Sequence, residues 1–244
     1  MNIYSNSFFH RTKKYNFLKS ILEEGLKIFY CKEEVFLGKN DKTIQIGIPM
    51  VSFCDIPLSF ISKNNYGNYG IAFSRNWGIK HCLEPVLYYP NNEECQSTKM
   101  VIEAASYFRD KSKKKDDFIR YRILGYAKPF EKINNEKDQN KDNYAEREWR
   151  RLYSSRKYKW KTEEEYFKYR GNKDSAKIPV GVPMKFKVDD IDFIIVAKSD
   201  VKDLREFIIK NMKTIGGYKN DITEDERYSL LSKILVYEDL IYNL

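Results

Sequence analysis

The sequence predicts an α+β domain with a mixed or antiparallel β core and flanking helices. Short strand-like stretches occur along the whole chain of 244 residues, and helical stretches lie between them. The regular strand–helix alternation of parallel α/β folds is absent. The composition of 42% hydrophobic and 15% aromatic residues provides for a sizeable core despite 32% charged residues. A single domain over residues 1–244 is therefore expected.

The first half of the chain opens as strand, turn and helix. Residues 5–10 (SNSFFH) are strand-like, and residues 17–26 carry apolar side chains at helical spacing, with Gly25 placed to end the helix. Turn-rich stretches such as NNYGNYG then separate three short runs rich in apolar and aromatic residues. Strands are predicted for these runs, at residues 50–54, 70–74 and 85–89.

The second half of the chain also combines predicted strands and helices, and it contains one long polar segment. Residues 131–143 (EKINNEKDQNKDN) contain one apolar residue in thirteen, which predicts a mobile loop. The capping box Thr223-x-x-Glu226 predicts the start of a last helix. The other predicted helices cover residues 98–109, 117–126, 160–170 and 201–212, and the predicted strands cover 145–153, 184–188 and 193–197.

Composition excludes several classes of function. The four cysteines are widely spaced, without a C-x-x-C pair, and only two histidines are present, so no metal site is expected. Neither G-x-G-x-x-G nor the P-loop motif occurs. No apolar run approaches the roughly 18 to 20 residues of a membrane span, and the N-terminus does not resemble a secretory signal. We therefore expect no membrane association and a cytoplasmic location.

Two carboxylates in the string YAEREWRR are the first candidates for chemistry. If the segment is extended, Glu146 and Glu148 project from one face, one strand rise apart. Carboxylates held that close resist simultaneous ionisation, so that one can hold a proton near neutral pH. Because Arg147, Arg150 and Arg151 are neighbours of the two carboxylates, an exposed, salt-bridged strand or helix is the alternative interpretation.

The other candidates lie in the first third of the chain. His10 ends the first predicted strand in the string FFHRT, and Thr12 adds a hydroxyl at the same turn. Tyr66 and Tyr69 in YGNYG stand beside glycines, a composition that lets backbone approach a flat ligand while a ring stacks on it. A hydrogen-bonded structural histidine and an ordinary tight turn are the alternatives.

Basic residues suggest a polyanionic partner. The formal net charge is +9, and residues 146–161 carry seven positive against two negative side chains, interleaved with aromatic residues. Arg147, Arg150 and Arg151 are the candidate contacts to RNA or DNA, since cations pair with phosphates and rings stack on bases. A protein partner, such as a paired toxin or antitoxin, is the alternative.

Several strings, in order, resemble the AbiGi family of abortive phage-infection proteins. They are FFHRT with FLKSILEEGLKI, IPMVSFCDIPLS, YGNYGIAFSRNWG, PVLYY and YAEREWRRLY. The order of parts also resembles the ADP-ribosyltransferase fold, in which a strand with an H-G-T-like string precedes a helix, an aromatic loop and a late catalytic glutamate. This second resemblance implies an ADP-ribosyltransferase-like domain with a split mixed or antiparallel β core.

The resemblances imply two functions. In the first, the chain is an antiviral effector that transfers ADP-ribose from NAD to a nucleic acid or protein. His10 and Thr12 then hold the NAD ribose, Tyr66 or Tyr69 stacks on nicotinamide, and Glu148 with Glu146 stabilises the oxocarbenium-like transition state. In the second, the chain is a non-catalytic antitoxin, or another binding component of a two-gene abortive-infection system.

Overall fold

The computed structural model describes residues 5–36, 43–58, 60, 67–109, 118–131, 142–153, 160–172 and 179–242. The chain divides into two compact units. Unit 1 comprises residues 1–27, 52–83 and 182–244, and unit 2 comprises residues 28–51 and 84–181. Most of the predicted mobile loop, residues 132–141, lies outside the described residues, while its last residue, Asn143, begins a 3-10 helix. The prediction of a single domain stays a prediction.

Strands and helices alternate irregularly along the described chain. The strands are β1 (Ser7–Thr12), β2 (Phe29–Phe36), β3 (Thr43–Cys54), β4 (Tyr69–Ser74), β5 (Glu84–Pro85), β6 (Leu87–Tyr89), β7 (Ala127–Pro129), β8 (Glu148–Leu152), β9 (Ile191–Val196) and β10 (Ile234–Val236). The α-helices are α1 (Tyr15–Glu24), α2 (Arg75–Lys80), α3 (Gln96–Arg109), α4 (Phe118–Tyr126), α5 (Glu163–Gly171), α6 (Val201–Glu206), α7 (Glu224–Ser232) and α8 (Tyr237–Tyr242). Short 3-10 helices cover Asn143–Glu146, Val188–Asp190 and Lys198–Asp200, and a π-helical turn, Phe207–Asn211, extends α6.

Unit 1 is built on strands in the order β10, β9, β4 and β1. β4 is antiparallel to both β1 and β9, whereas β10 runs parallel to β9. Phe9 of β1 also lies opposite Cys54, the last residue of β3. The short helix α2 packs against β4 through Trp77, whose ring stacks on that of Phe73 with the centroids 4.2 Å apart.

Unit 2 contains the longest strand pair. β2 is antiparallel to β3 from Phe29, opposite Met50, to Phe36, opposite Thr43. β8 adjoins β3 and pairs with β5, while β6 and β7 form a separate parallel pair. The core of unit 2 consists of apolar residues from β2, β3, α3, α4 and the segments beside them, among them Val35, Ile48, Tyr89, Val101, Leu124 and Trp160.

These elements confirm the predicted mixture of strands and helices with a mixed, largely antiparallel β core. Gly25 ends α1 with a φ of 81°, and Thr223 forms the predicted capping box with Glu226. The strand predicted at 184–188 is wrong, since Met184 forms only an isolated bridge with Leu26 and Val188 begins a 3-10 helix. An arrangement specific to ADP-ribosyltransferases stays a prediction.

The described residues also bear on membranes and metals. None of the described helices combines the length and the apolar character that crossing a bilayer requires. Within the same residues, no three His, Cys, Asp or Glu side chains are grouped closely enough to hold a metal ion.

Candidate functional site

Five charged side chains of unit 2 meet in one largely buried charge cluster. It consists of Glu33 from β2, Lys128 from β7, Glu146 from a 3-10 helix, and Glu148 and Arg150 from β8. The Arg150 side chain is 0% exposed, and the Glu148 side chain is 6% exposed. Charged groups removed from water in this way require partners, because an unpaired buried charge is strongly unfavourable.

Arg150 occupies the centre of the charge cluster. Its Nε donates to Glu148 Oε1 at 2.7 Å, and its Nη2 donates to Glu148 Oε2 at 3.0 Å and to Glu33 Oε2 at 2.7 Å. Its Nη1 donates to the carbonyl of Gly125 at 2.7 Å. The planar guanidinium thus connects two strands and the end of α4, a task suited to its forked donors.

Lys128 joins the two glutamates that the sequence singles out. Its Nζ lies 2.6 Å from Glu146 Oε2 and 2.7 Å from Glu148 Oε2. The two carboxylates therefore do come together, but they do so across a shared cation. Neutralisation by Lys128 and Arg150 removes the mutual repulsion on which the predicted sharing of a proton depended.

The backbone between these glutamates differs from the predicted continuous strand. Glu146 ends the 3-10 helix Asn143–Glu146, Arg147 adopts a left-handed conformation with a φ of 43°, and β8 begins only at Glu148. The strand predicted over residues 145–153 is therefore wrong for residues 145–147. The left-handed residue is what lets two carboxylates from different elements reach one ammonium group.

The protonation of the cluster follows from its charges. Burial alone would raise the pKa of Glu148, but the Arg150 guanidinium and the Lys128 ammonium outweigh it and hold the pKa far below its ordinary value. At Glu33, burial dominates over the attraction of Arg150 and raises the pKa. Three carboxylates face two cations in the cluster, and Glu33 is the carboxylate at which burial most opposes ionisation.

Three aromatic rings lie directly beside the charge cluster. The Tyr88 hydroxyl accepts a hydrogen bond from the Glu148 backbone N–H at 2.8 Å. The ring of Tyr88 lies 6.1 Å from that of Phe130 and 5.2 Å from that of Tyr144, and the Phe130 and Tyr144 rings are 5.4 Å apart. We call Tyr88, Phe130 and Tyr144 the aromatic trio. Tyr144 is 48% exposed, so the trio presents an aromatic surface supported by buried ion pairs.

The predicted NAD contacts of the N-terminal region belong to unit 1. His10 lies within β1, and its Nδ1 is 3.0 Å from the carbonyl of Ser52, with the Phe53 ring 5.6 Å away. Burial lowers the pKa of His10, so the ring is neutral. Because a carbonyl only accepts, the proton sits on Nδ1. The ring is thus held by a hydrogen bond within the unit.

Thr12 and Tyr69 pair with each other at the end of the β1–β4 ladder. The Tyr69 hydroxyl donates to Asp200 at 2.7 Å, and its ring lies 5.8 Å from that of Tyr15. Burial, followed by the Asp200 carboxylate, raises the pKa of Tyr69 to about 12. Tyr66 lies outside the described residues. Binding of NAD by these residues stays a prediction.

The predicted nucleic-acid contacts separate into two kinds. Arg147 and Arg151 are half-buried. Arg150 has no exposed side-chain surface and is bound on all sides by Glu148, Glu33 and the Gly125 carbonyl. This placement corrects the interpretation of Arg150 as a phosphate contact, because the alternation of β8 turns its side chain into the unit.

Glu33, Lys128 and Tyr88 are members of the site that sequence reasoning missed. Glu33 and Lys128 are two among 79 charged residues of the chain, 44 basic and 35 acidic, and neither lies in a recognisable motif. Strand alternation gives no clear signal at Glu33, since its neighbours in β2, Lys32 and Glu34, are charged as well.

Comparison with known proteins identifies a family. The family model described as "Putative abortive phage resistance protein AbiGi, antitoxin" matches residues 17–197, which is about three quarters of the chain. This range includes all five members of the charge cluster and the whole aromatic trio. No curated protein and no solved structure matches the chain significantly.

Proposed function

The chain belongs to the AbiGi family of abortive phage resistance proteins, and on that basis we propose that it is a non-catalytic antitoxin, which binds and neutralises a cognate toxin protein. The family match carries this proposal, since the family is described as an antitoxin. The proposal agrees with the alternative interpretation of the sequence rather than with an NAD-consuming effector.

The state of Glu148 supports a binding role. Both of its carboxylate oxygens accept charge-assisted hydrogen bonds, Oε1 from Arg150 and Oε2 from Lys128 and Arg150. A carboxylate that stabilises an oxocarbenium-like centre must face that centre. Glu148 instead faces two cations of its own unit, where it stabilises the fold.

The aromatic trio is the surface that we propose for the toxin. Tyr144 is held by edge contact with Tyr88, and the hydrogen bond from its backbone N–H to the Asp142 carboxylate, 2.8 Å long, fixes the turn that carries it. An exposed tyrosine that is already ordered loses little conformational entropy on binding, which is why tyrosines are frequent in binding hot spots. The hydrogen bond from the Glu148 backbone N–H to the Tyr88 hydroxyl connects this surface to the charge cluster.

A titration distinguishes binding from catalysis. Purified toxin is mixed with increasing amounts of the chain, and residual toxicity or toxin activity is measured. A binding antitoxin neutralises the toxin only when the amounts become stoichiometric, and size-exclusion chromatography then shows a complex. Neutralisation by a small fraction of an equivalent, or failure to form a complex, would contradict the proposal.

ADP-ribosyl transfer by Glu148 stays a competing prediction with its own test. The wild-type chain and Glu148→Gln are incubated with labelled NAD and separate pools of RNA, DNA and protein. Release of nicotinamide by the wild type, and its loss in a Glu148→Gln protein with an unchanged circular dichroism spectrum, would favour the enzyme. The same pools, used in gel-shift experiments, test RNA or DNA as a partner through Arg147 and Arg151.

A further inference from the structure

A cavity of about 710 Å³ lies within unit 1, on one face of its sheet. This volume falls in the range of small-molecule sites, roughly 300 to 1,000 Å³. The lining combines an apolar wall with charged groups of both signs, namely the carboxylate of Asp192 and the cations of Arg75 and Lys233. None of these residues takes part in the charge cluster of unit 2.

A β-bulge places the carboxylate in this cavity. Ala72 of β4 lies opposite Phe193, but the next residue, Phe73, lies opposite Ile191, so Asp192 is an additional residue of β9. Such a bulge redirects a side chain, and bulges are frequent beside functional sites. The Asp192 carboxylate accepts a hydrogen bond from the hydroxyl of Ser7 on β1 at 2.5 Å, which fixes its position across the sheet.

The apolar wall follows one row of the sheet. Phe9, Ala72 and Phe193 lie side by side on β1, β4 and β9, and the small alanine separates the two aromatic residues. Phe193 and Leu58 are only partly buried against the apolar cluster behind them. Both line the cavity and leave apolar surface for a flat ligand.

Two cations of the lining are held in place by hydrogen bonds. Lys233 Nζ donates to the carbonyl of Ile191, which takes one of the three N–H donors of its ammonium group. Arg75 is held in place by the carbonyl of Ser5 at 3.0 Å and by the Asp55 carboxylate at 2.5 Å. Two positioned cations beside an aromatic wall are suited to a ligand that is planar at one end and anionic at the other.

We propose that this cavity binds a nucleotide. The base lies against Phe193 and Leu58, the phosphate contacts Lys233 and Arg75, and the Asp192 carboxylate accepts hydrogen bonds from the ribose hydroxyls. This inference concerns unit 1 only and does not depend on neutralisation of a toxin through the aromatic trio.

Isothermal titration calorimetry tests the assignment on the full chain. The four ribonucleoside monophosphates are titrated separately, together with the matching nucleosides and inorganic phosphate as the two fragments. We expect at least one nucleotide to bind once per chain, and more tightly than its nucleoside. Lys233→Met keeps the aliphatic stem, and we expect it to weaken that nucleotide about tenfold while leaving the nucleoside affinity unchanged.

Two further variants complete the test. Lys219→Met alters an exposed lysine of unit 1 outside the cavity and is expected to bind like the wild type. Leu58→Trp adds bulk to the wall and is expected to abolish nucleotide binding in a protein whose circular dichroism is unchanged. The proposal is overturned if no nucleotide binds at about 1 mM, or if Lys233→Met and Lys219→Met bind alike. Neutralisation of the toxin by Lys233→Met shows separately whether the antitoxin function holds.

Discussion

Replacing Arg150 by methionine should lower the free energy of unfolding of unit 2 by more than replacing a half-buried arginine would, because Arg150 belongs to a buried ion-pair network. The substitution keeps much of the apolar side-chain volume but removes the donors to Glu148, Glu33 and the Gly125 carbonyl. Glu148 keeps Lys128, whereas Glu33 loses its guanidinium partner. Breaking a buried ion pair from one side typically costs about 3 to 5 kcal/mol, which is a large share of a domain's stability of about 5 to 15 kcal/mol.

The assay is urea unfolding at pH 7 and 25 °C, followed by circular dichroism. The matched control is Arg151→Met on the same strand, where the side chain is half-buried and a change within about 1 kcal/mol is expected. If Arg150 were instead a nucleic-acid contact, its loss would leave the midpoint unchanged and reduce RNA or DNA binding. Equal midpoints for the two variants would refute the buried network as the source of stability.

Three further outcomes follow from local geometry. The pKa of Glu148 is lowered in the fold, so its contribution to stability is present above the unfolded pKa of about 4.3 and is lost as pH falls further. In Glu148→Gln, the melting temperature should therefore fall less steeply below about pH 4.5 than in the wild type. The same pH profile in both proteins would contradict a lowered pKa of Glu148. Tyr144→Ala should weaken toxin binding at least tenfold, measured by titration, while Tyr228→Ala, a change at a 62% exposed tyrosine of unit 1, should not. Gly216→Ala should cost more than about 2 kcal/mol in urea unfolding, because Gly216 has a φ of 56° and a Cβ would lie 1.9 Å from the Phe186 carbonyl oxygen. Gly171→Ala should be neutral, because among the described residues a Cβ there would meet nothing within 4 Å apart from its chain neighbours and the backbone of its own helix.

Local chemistry in the sequence predicted several elements well. The helical spacing of apolar residues within 17–26 corresponds to α1, which Gly25 ends as predicted. The Thr223 capping box begins α7. β2, β7 and β10 were not predicted. β2 carries three charged residues in its middle, Lys32, Glu33 and Glu34, so its hydrophobic alternation is interrupted where Glu33 turns towards Arg150. A strand whose inward position is a carboxylate does not show the usual period of two.

The candidate site was only partly predictable for a related reason. Glu146 and Glu148 are candidates because they are two positions apart in the chain, but their cation, Lys128, comes from β7 and is separated from them by 18 and 20 positions. Without that partner, the sequence suggested two carboxylates that compete for a proton. With it, the pKa of Glu148 is lowered, and the carboxylate with a raised pKa is Glu33.

The amino-acid sequence by itself determined the family, the mixture of strands and helices, and the places where caps and glycines begin or end them. These properties depend on neighbours a few positions apart and on the order of short strings. Only the tertiary structure decided that Arg150 lies in the interior and that the Glu148 carboxylate is paired with Arg150 and Lys128. The partners that determine the charge and exposure of Arg150 come from distant segments, the farthest being Glu33 at a separation of 117 positions. Desolvation and ion pairing act through space, so their balance exists only once the chain has folded.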